Sequence, residues 1–347
     1  MTIVRSHRVV IVLLACMGVT SPALAGVRLD GVPDADHLAL GAGYDSVGQV
    51  LGVSPEFNYS GSGTLIEPSW VLTAGHVVDI ATSLDFILGG VTYTAASWVP
   101  HPKWDGDLNR GYDIGLIELT SSIEGVDPAA LYAGSGELGM TGISVGFGMI
   151  GTGSTGAIVG VDGQRRAGEN GIDAWLKTPG KSPRVFLSDF DDPMNADENA
   201  LGPWGSSADA LDQEYLIAPG DSGGGVFITE DGQEYLAGVN SFVWAMLDGA
   251  PDSDYGDVSG HTRVSQFIKW IDGVINPGSG GKPGGGKPDK PDKPDKPGKP
   301  RGTSSTDFSL DLIDGVVADP SVTGVPEPAT LALLAAGGLA LLRRRRT

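Results

Sequence analysis

The chain has 347 residues, a formal net charge of −20, 40% hydrophobic residues and one cysteine, Cys16. Between Gly26 and Asn276 there are 35 acidic side chains against 10 basic ones, which argues against nucleic-acid binding and favours solubility. A lone cysteine cannot staple a fold, so this segment, sized for one all-β domain, must stand on a hydrophobic core.

The N-terminus carries Arg5 and Arg8, an apolar run Val9–Ala15, then small residues ending Ala23-Leu24-Ala25. A basic region, a short apolar core and an A-x-A site make a secretory signal peptide over residues 1–25, cleaved after Ala25. A second reading is lipoprotein processing at Cys16 in Leu13-Leu14-Ala15-Cys16, a pattern that Leu14 fits poorly. A transmembrane anchor is excluded by the shortness of the run.

Short apolar runs broken by Gly, Pro, Asp and Asn follow: Gly63–Ile66, Trp70–Thr73, Leu84–Leu88, Ile114–Leu119, Ile143–Phe147, Gly225–Ile228 and Leu236–Val239. Closely spaced β-rich runs with turn signals between them predict a sandwich or barrel. One helix is predicted over Val264–Ile275, with Val264, Phe267, Ile268 and Ile271 on one face. Residues 148–215 are rich in Gly and Asp; Asp189, Asp191, Asp192, Asn195, Asp197 and Glu198 cluster there. Calcium could be held by such carboxylates, but the spacing fits no EF-hand, and a solvated acidic loop with no metal is expected.

Three motifs carry chemistry. Ser222 lies in Gly220-Asp221-Ser222-Gly223-Gly224, where flanking glycines permit a tight turn and leave room for substrate. With 54 glycines in the chain, a plain Gly-rich turn is an open reading of that pentapeptide alone. His76 ends Trp70-Val71-Leu72-Thr73-Ala74-Gly75-His76, a strand that would deliver an imidazole at its tip. Its rivals are worse placed: His7 in the signal, His37 ahead of the core, His101 before Pro102, and His261 beyond the serine. Asp113 leads into Ile114–Leu119, where burying a carboxylate is costly unless a partner such as a histidine N–H is present. Nucleophile, base and orienting carboxylate are what serine-based acyl transfer requires.

Gly63-Thr64-Leu65-Ile66, Trp70–His76, Asp113–Leu119 and Gly220–Gly224, in this order, resemble the landmarks of the trypsin-like serine proteases. The resemblance covers roughly Leu40 to Gly273. It implies an all-β fold of two six-stranded antiparallel β-barrels with a C-terminal helix, and an active site in the cleft between barrels. It further implies His76, Asp113 and Ser222 as catalytic residues and the N–H groups of Gly220 and Ser222 as the oxyanion hole. Substrate would bind along Ser241-Phe242-Val243 by strand addition, and His261 would be structural. No cofactor is implied. A protein or peptide is the expected substrate.

Two positions depart from the family pattern. Leu216 stands where trypsins place the Asp that binds Arg or Lys side chains, and Val243 replaces a usual Gly at the pocket's edge. A small or apolar preference is expected. The family's activating N-terminus, whose amine pairs with the Asp before the serine (here Asp221), has no visible counterpart near residue 26 beyond Arg28-Leu29-Asp30-Gly31. Either the site forms without it or Asp221 has another partner.

Residues 277–306 begin with a Gly/Lys/Pro/Asp repeat that can build no core and form an extended linker. After a segment at 307–324, residues 325–347 read Val325-Pro326-Glu327-Pro328, an apolar stretch Ala329–Leu342, and Arg343–Arg346. This resembles a PEP-CTERM sorting tail and implies a transient membrane tether through a short hydrophobic helix, the arginines inside, until a sorting peptidase cuts. A permanent anchor is the alternative. A monomer, exported to the surface or medium, is expected.

Two other functions compete with this reading. Gly220-x-Ser222-x-Gly224 also fits an esterase nucleophile elbow, with Asp257 and His261 completing the triad, but an elbow serine opens a helix and here a strand is predicted. A silent protease-fold adhesion or matrix module would be expected to have lost a triad residue.

Overall fold

The computed structural model describes residues 26–177 and 181–277, so the signal, the linker from residue 278, and the tail lie outside the described residues. The first half contains β1 (Gly26–Arg28), α1 (Asp34–Gly41), β2 (Val47–Val53), β3 (Asn58–Glu67), β4 (Trp70–Thr73), α2 (Gly75–Asp79), β5 (Ser83–Leu88), β6 (Val91–Pro100) and β7 (Gly115–Leu119). The second contains β8 (Thr141–Gly146), β9 (Ile150–Thr152), β10 (Gly156–Val159), β11 (Arg166–Gly171), β12 (Ala174–Leu176) and β13 (Val185–Asp189). It continues with β14 (Tyr215–Leu216), β15 (Gly225–Glu230), β16 (Gln233–Ala245), β17 (Asp257–Arg263) and α3 (Ile268–Ile275).

Strands β2-β3-β4-β7-β6-β5 close into an antiparallel barrel, β5 pairing back onto β2. In β4 the neighbours Val71 and Leu72 are both buried, as are Leu116 and Ile117 in β7. Adjacent strand residues face opposite ways, so both faces of these strands are covered. That is why they read as continuous apolar runs rather than alternating ones.

The second half is built on a seven-stranded antiparallel sheet, β11-β8-β15-β16-β17-β13-β12. Beside it lies a four-stranded sheet, β10-β9-β1-β14. The expected second six-stranded barrel therefore takes the form of an open ladder. A side chain of its edge strand reaches across: Asn170 Nδ2 of β11 donates to the carbonyls of Asp189 on β13 (2.7 Å) and of Tyr215 on β14 of the smaller sheet (3.2 Å). The strands that the sequence did not reveal, β9 to β14, are divided between the smaller sheet (β9, β10, β14) and the two ends of the larger one (β11 at one, β13 and β12 at the other).

The C-terminal helix starts later than expected. Val264–Gln266 form a 3₁₀ turn, and the α-helix begins at Ile268. Val264, Phe267 and Ile271 nevertheless enter the core of the first barrel, so the last element of the second half packs on the first. His101 stacks on Tyr112 at 5.1 Å and meets Phe267 and Trp270 edge-on.

Candidate active site

The end of β4 runs through Ala74 into the single turn α2, which carries His76. Asp113 lies just ahead of β7, the strand paired with β4, and the register that sets Thr73 opposite Gly115 brings it to the side of β4 that leads into His76. His76 Nδ1 lies 2.8 Å from Asp113 Oδ2, and the His76 main-chain N–H donates to Oδ1, also at 2.8 Å. A carboxylate only accepts, so this contact places the proton on Nδ1 and leaves Nε2 as the basic nitrogen. Asp113 is wholly buried. Its carboxylate takes a third hydrogen bond, from Ser241 Oγ at 2.6 Å, and its carbonyl accepts from Thr262 Oγ1. A buried charge of this kind persists only when hydrogen bonds replace its water.

Ser222 approaches from the second half, on the turn before β15. Gly220 and Gly223 on either side have φ of 100° and 85°, a region open to glycine and strained for other residues. A side chain at Gly223 would also collide with Thr73 Oγ1 and the Ser62 carbonyl. The turn is laced to the first barrel through Ser62. Its N–H donates to the Ser222 carbonyl at 2.7 Å, and its hydroxyl donates to the Gly220 carbonyl at 2.9 Å while accepting from Phe147 N–H. Thr73 Oγ1 in turn donates to the Ser62 carbonyl. The Ser222 side chain is thus held beside the strand end that bears His76, and its hydroxyl makes no hydrogen bond among the described residues.

Main-chain amides in the turn divide into two sets. Those of Asp221, Gly223 and Gly224 donate to the carbonyls of Ala218, Asn240 and Asp221. Those of Gly220 and Ser222 have no acceptor among the described residues.

Ser241, Phe242 and Val243 lie on β16, which pairs with β17 along 242–245. No strand flanks 241–245 on the opposite edge among the described residues. Their side chains do different things: Ser241 binds Asp113, Phe242 packs against Trp244 in the core, and Val243 joins buried Leu216 in one apolar cluster. His261, which the esterase reading needs as its base, has both nitrogens engaged, by Ser259 Oγ at 2.8 Å and Asn240 Oδ1 at 3.0 Å. Burial pushes its pKa down to about 3. Ser222 is followed by strand β15, not by a helix.

Asp221 is fully buried and meets no ammonium or guanidinium within ion-pair distance among the described residues. Its carboxylate accepts from Gly148 N–H (2.8 Å), Ala218 N–H (2.9 Å) and Tyr215 OH (3.1 Å). Burial raises its pKa to about 6 against the pull of those bonds. The sequence left this partner open.

With the geometry in view, comparison with known proteins is direct. Residues 49–161 match the Trypsin family. Chymotrypsin-like elastase family member 1 from Bos taurus is 28% identical over 232 residues, covering 61% of this chain and 77% of its own length. The Canis lupus familiaris protein of the same name is 28% identical over 243 residues, covering 61% and 80%. The human one is 26% identical over 230 residues, covering the same shares.

The chain is similar to the trypsin-like serine proteases.

Residues 324–346 match the PEP-CTERM protein-sorting motif, in keeping with export and association with the cell surface. No helix among its described residues is long and apolar enough to cross a membrane. The 189–198 carboxylates do not converge. Asp189 accepts from Leu201 N–H and Ser206 Oγ, and Asp192 accepts from Met194 N–H. The carboxylates that do converge among the described residues are Asp248, Asp254 and Asp257, with oxygens within 4.8 Å of one another. Sequence reading also missed Ser62, Tyr215 and Asn240, which place the serine turn. None sits in a motif, and their roles arise from strands that meet only in the folded chain.

Proposed function

We propose that the protein cleaves peptide bonds through an acyl-enzyme formed on Ser222. The observation that carries this reading is the buried His76–Asp113 pair on one barrel facing a glycine-braced serine turn on the other. Ser222 Oγ attacks the peptide carbonyl as His76 Nε2 takes its proton, while Asp113 holds the ring and balances the imidazolium. The oxyanion then accepts from the Gly220 and Ser222 amides, the two in the turn with no internal acceptor. His76 passes the proton to the leaving amine, the C–N bond breaks, and water resolves the ester by the same route.

Substrate lies along the open edge of residues 241–243, adding a strand to β16. Leu216 and Val243 offer no carboxylate to an Arg or Lys side chain, so small or apolar residues are preferred before the cut bond. That the relatives carry elastase names agrees with this. Residues 26–276 form the protease unit, residues 1–25 the export signal, and 277–306 a spacer leading through 307–324 to a tail that tethers the monomer until a sorting peptidase cuts it.

A fluorophosphonate probe tests the reading. The folded exported protein should label, and Ser222→Ala and His76→Ala should not. A folded wild type that stays unlabelled would count for a silent adhesion module. Peptide-library cleavage dominated by Arg or Lys would overturn the specificity.

A further inference from the structure

We infer that Tyr215 is a positioning residue for the reaction: its hydroxyl holds Asp221 and so presets the amides of Gly220 and Ser222. The inference rests on the serine-turn reading above.

Asp221 lies between the two residues whose N–H groups await the oxyanion, so the orientation of its peptide planes fixes theirs. Three neutral donors hold its fully buried carboxylate. Two belong to the main chain and come with the fold; the third, Tyr215 OH, is the one side chain that chemistry or mutation can remove. Its aromatic ring is immobilised. Tyr215 pairs with Arg28 of β1, its ring lies 5.9 Å from that of His37, and Gly26 and Gly168 press so closely that a methyl on either would collide with it. A methyl on Gly26 would strike the hydroxyl itself.

The surroundings explain why a phenol serves here. Around Tyr215 and Asp221 stand His37, whose Nδ1 contacts the Ala167 carbonyl, and Arg166, paired with Asp34 and Asp162. Burial lowers the pKa of His37 and raises that of Tyr215, and so favours the neutral form of each. Arg166 is already neutralised by two carboxylates. A neutral donor therefore matches Asp221 without bringing a second charge into the core, where desolvation is costly. The turn is then formed without a charged group inserted after cleavage.

The test uses the exported protein with wild type, Tyr215→Phe and Gly26→Ala side by side, each checked for folding by circular dichroism. Tyr215→Phe should lower kcat for a peptide substrate by about tenfold or more, with KM within about twofold. Its activity should also fall off at a higher pH on the acid side, because Asp221 loses a donor that favours its ionised form. Gly26→Ala, which keeps the phenol but displaces it, should do the same. A folded Tyr215→Phe with wild-type kcat and pH profile overturns the inference. If that variant does not fold, a folded Gly26→Ala with wild-type kcat does so. Activity that appears only on trimming a chain extended ahead of Gly26 also overturns it, by assigning the role to an α-amine. A folded wild type that does not label with fluorophosphonate removes the serine-turn reading itself, and this inference falls with it.

Discussion

Ser241 Oγ and His76 Nδ1 both donate to the same oxygen of Asp113, Oδ2, one from β16 of the second half and the other from α2 of the first. Asp113 thus joins the two halves of the cleft as well as orienting the base. Hydrogen bonds to a charged group are worth about 1.5–3 kcal/mol. Ser241→Ala should lower kcat/KM by about tenfold while leaving fluorophosphonate labelling detectable, since two donors from His76 remain. Unchanged steady-state kinetics would limit Ser241 to a structural contact.

Gly223 is fixed by backbone and by space. Its φ of 85° disfavours a side chain, and Thr73 Oγ1 and the Ser62 carbonyl occupy the place a methyl would take. Gly223→Ala should shift Ser222 away from the strand end that bears His76 and abolish labelling, and it should lower Tm. By contrast Gly249→Ala, also at positive φ but facing open space, should cost about 1 kcal/mol and leave labelling intact. Equal labelling of both variants would refute the geometric argument.

Stability should fall as pH rises above neutrality. Burial raises the pKa of Asp173, Glu214 and Asp254 to about 7, and that of Asp191 and Asp257 to about 8. The folded protein therefore holds protons that the unfolded chain releases from about pH 4 upward, and the stability they confer declines from there until pH has passed the folded values of about 7 to 8. His101 and His261, depressed to about 4 and 3, act the opposite way, but only below about pH 6.5, where unfolded histidine starts to protonate. Calorimetry at pH 6.5 and 8.5 should give the lower Tm at 8.5, and Asp191→Asn with Asp257→Asn should narrow the gap. A Tm that rises between those values would contradict the assignment.

Arg166 is fully buried and binds Asp34 of α1 through Nε and Nη2, and Asp162 through Nη1 and Nη2. Removing the cation leaves two largely buried carboxylates uncompensated, a loss of about 3–5 kcal/mol. Arg166→Met should be strongly destabilised in urea, and adding Asp34→Asn and Asp162→Asn should recover part of the loss. No recovery would mean that packing of the Arg166 stem, not its charge, matters.

The sequence was most legible where local and long-range demands coincide. β4 was read from Trp70 to Thr73 as observed, because both of its faces are buried and every residue is apolar or β-branched. The His76 and Asp113 motifs stood out because each ends or starts such a strand. The region of α1 and β9–β14 was opaque for a physical reason. α1 buries only His37 and Gly41, so it has no apolar stripe to betray it. β11 reads RAGENG, with no β-branched residue, and owes its form to pairing with β8 and to α1 packed above it. Contacts such as Tyr215 with Asp221 depend on strands of two or three residues, too short to leave a period. The two-barrel expectation was right in kind, and the open ladder of the second half is where detail was lost.

Because the C-terminal segment joins the buried cluster of the first barrel through Val264, Phe267 and Ile271, and Val145, Phe227 and Val239 of the second half share that cluster, the two halves have one continuous core. Partial unfolding, the usual route by which a protein exposes a cleavable stretch, is thereby tied to global unfolding. In a crowded population of copies of itself, such a molecule should offer its neighbours few cleavable openings. A C-terminal segment laid across the boundary would then serve, in a chain with a single cysteine, the purpose that a cross-link serves elsewhere.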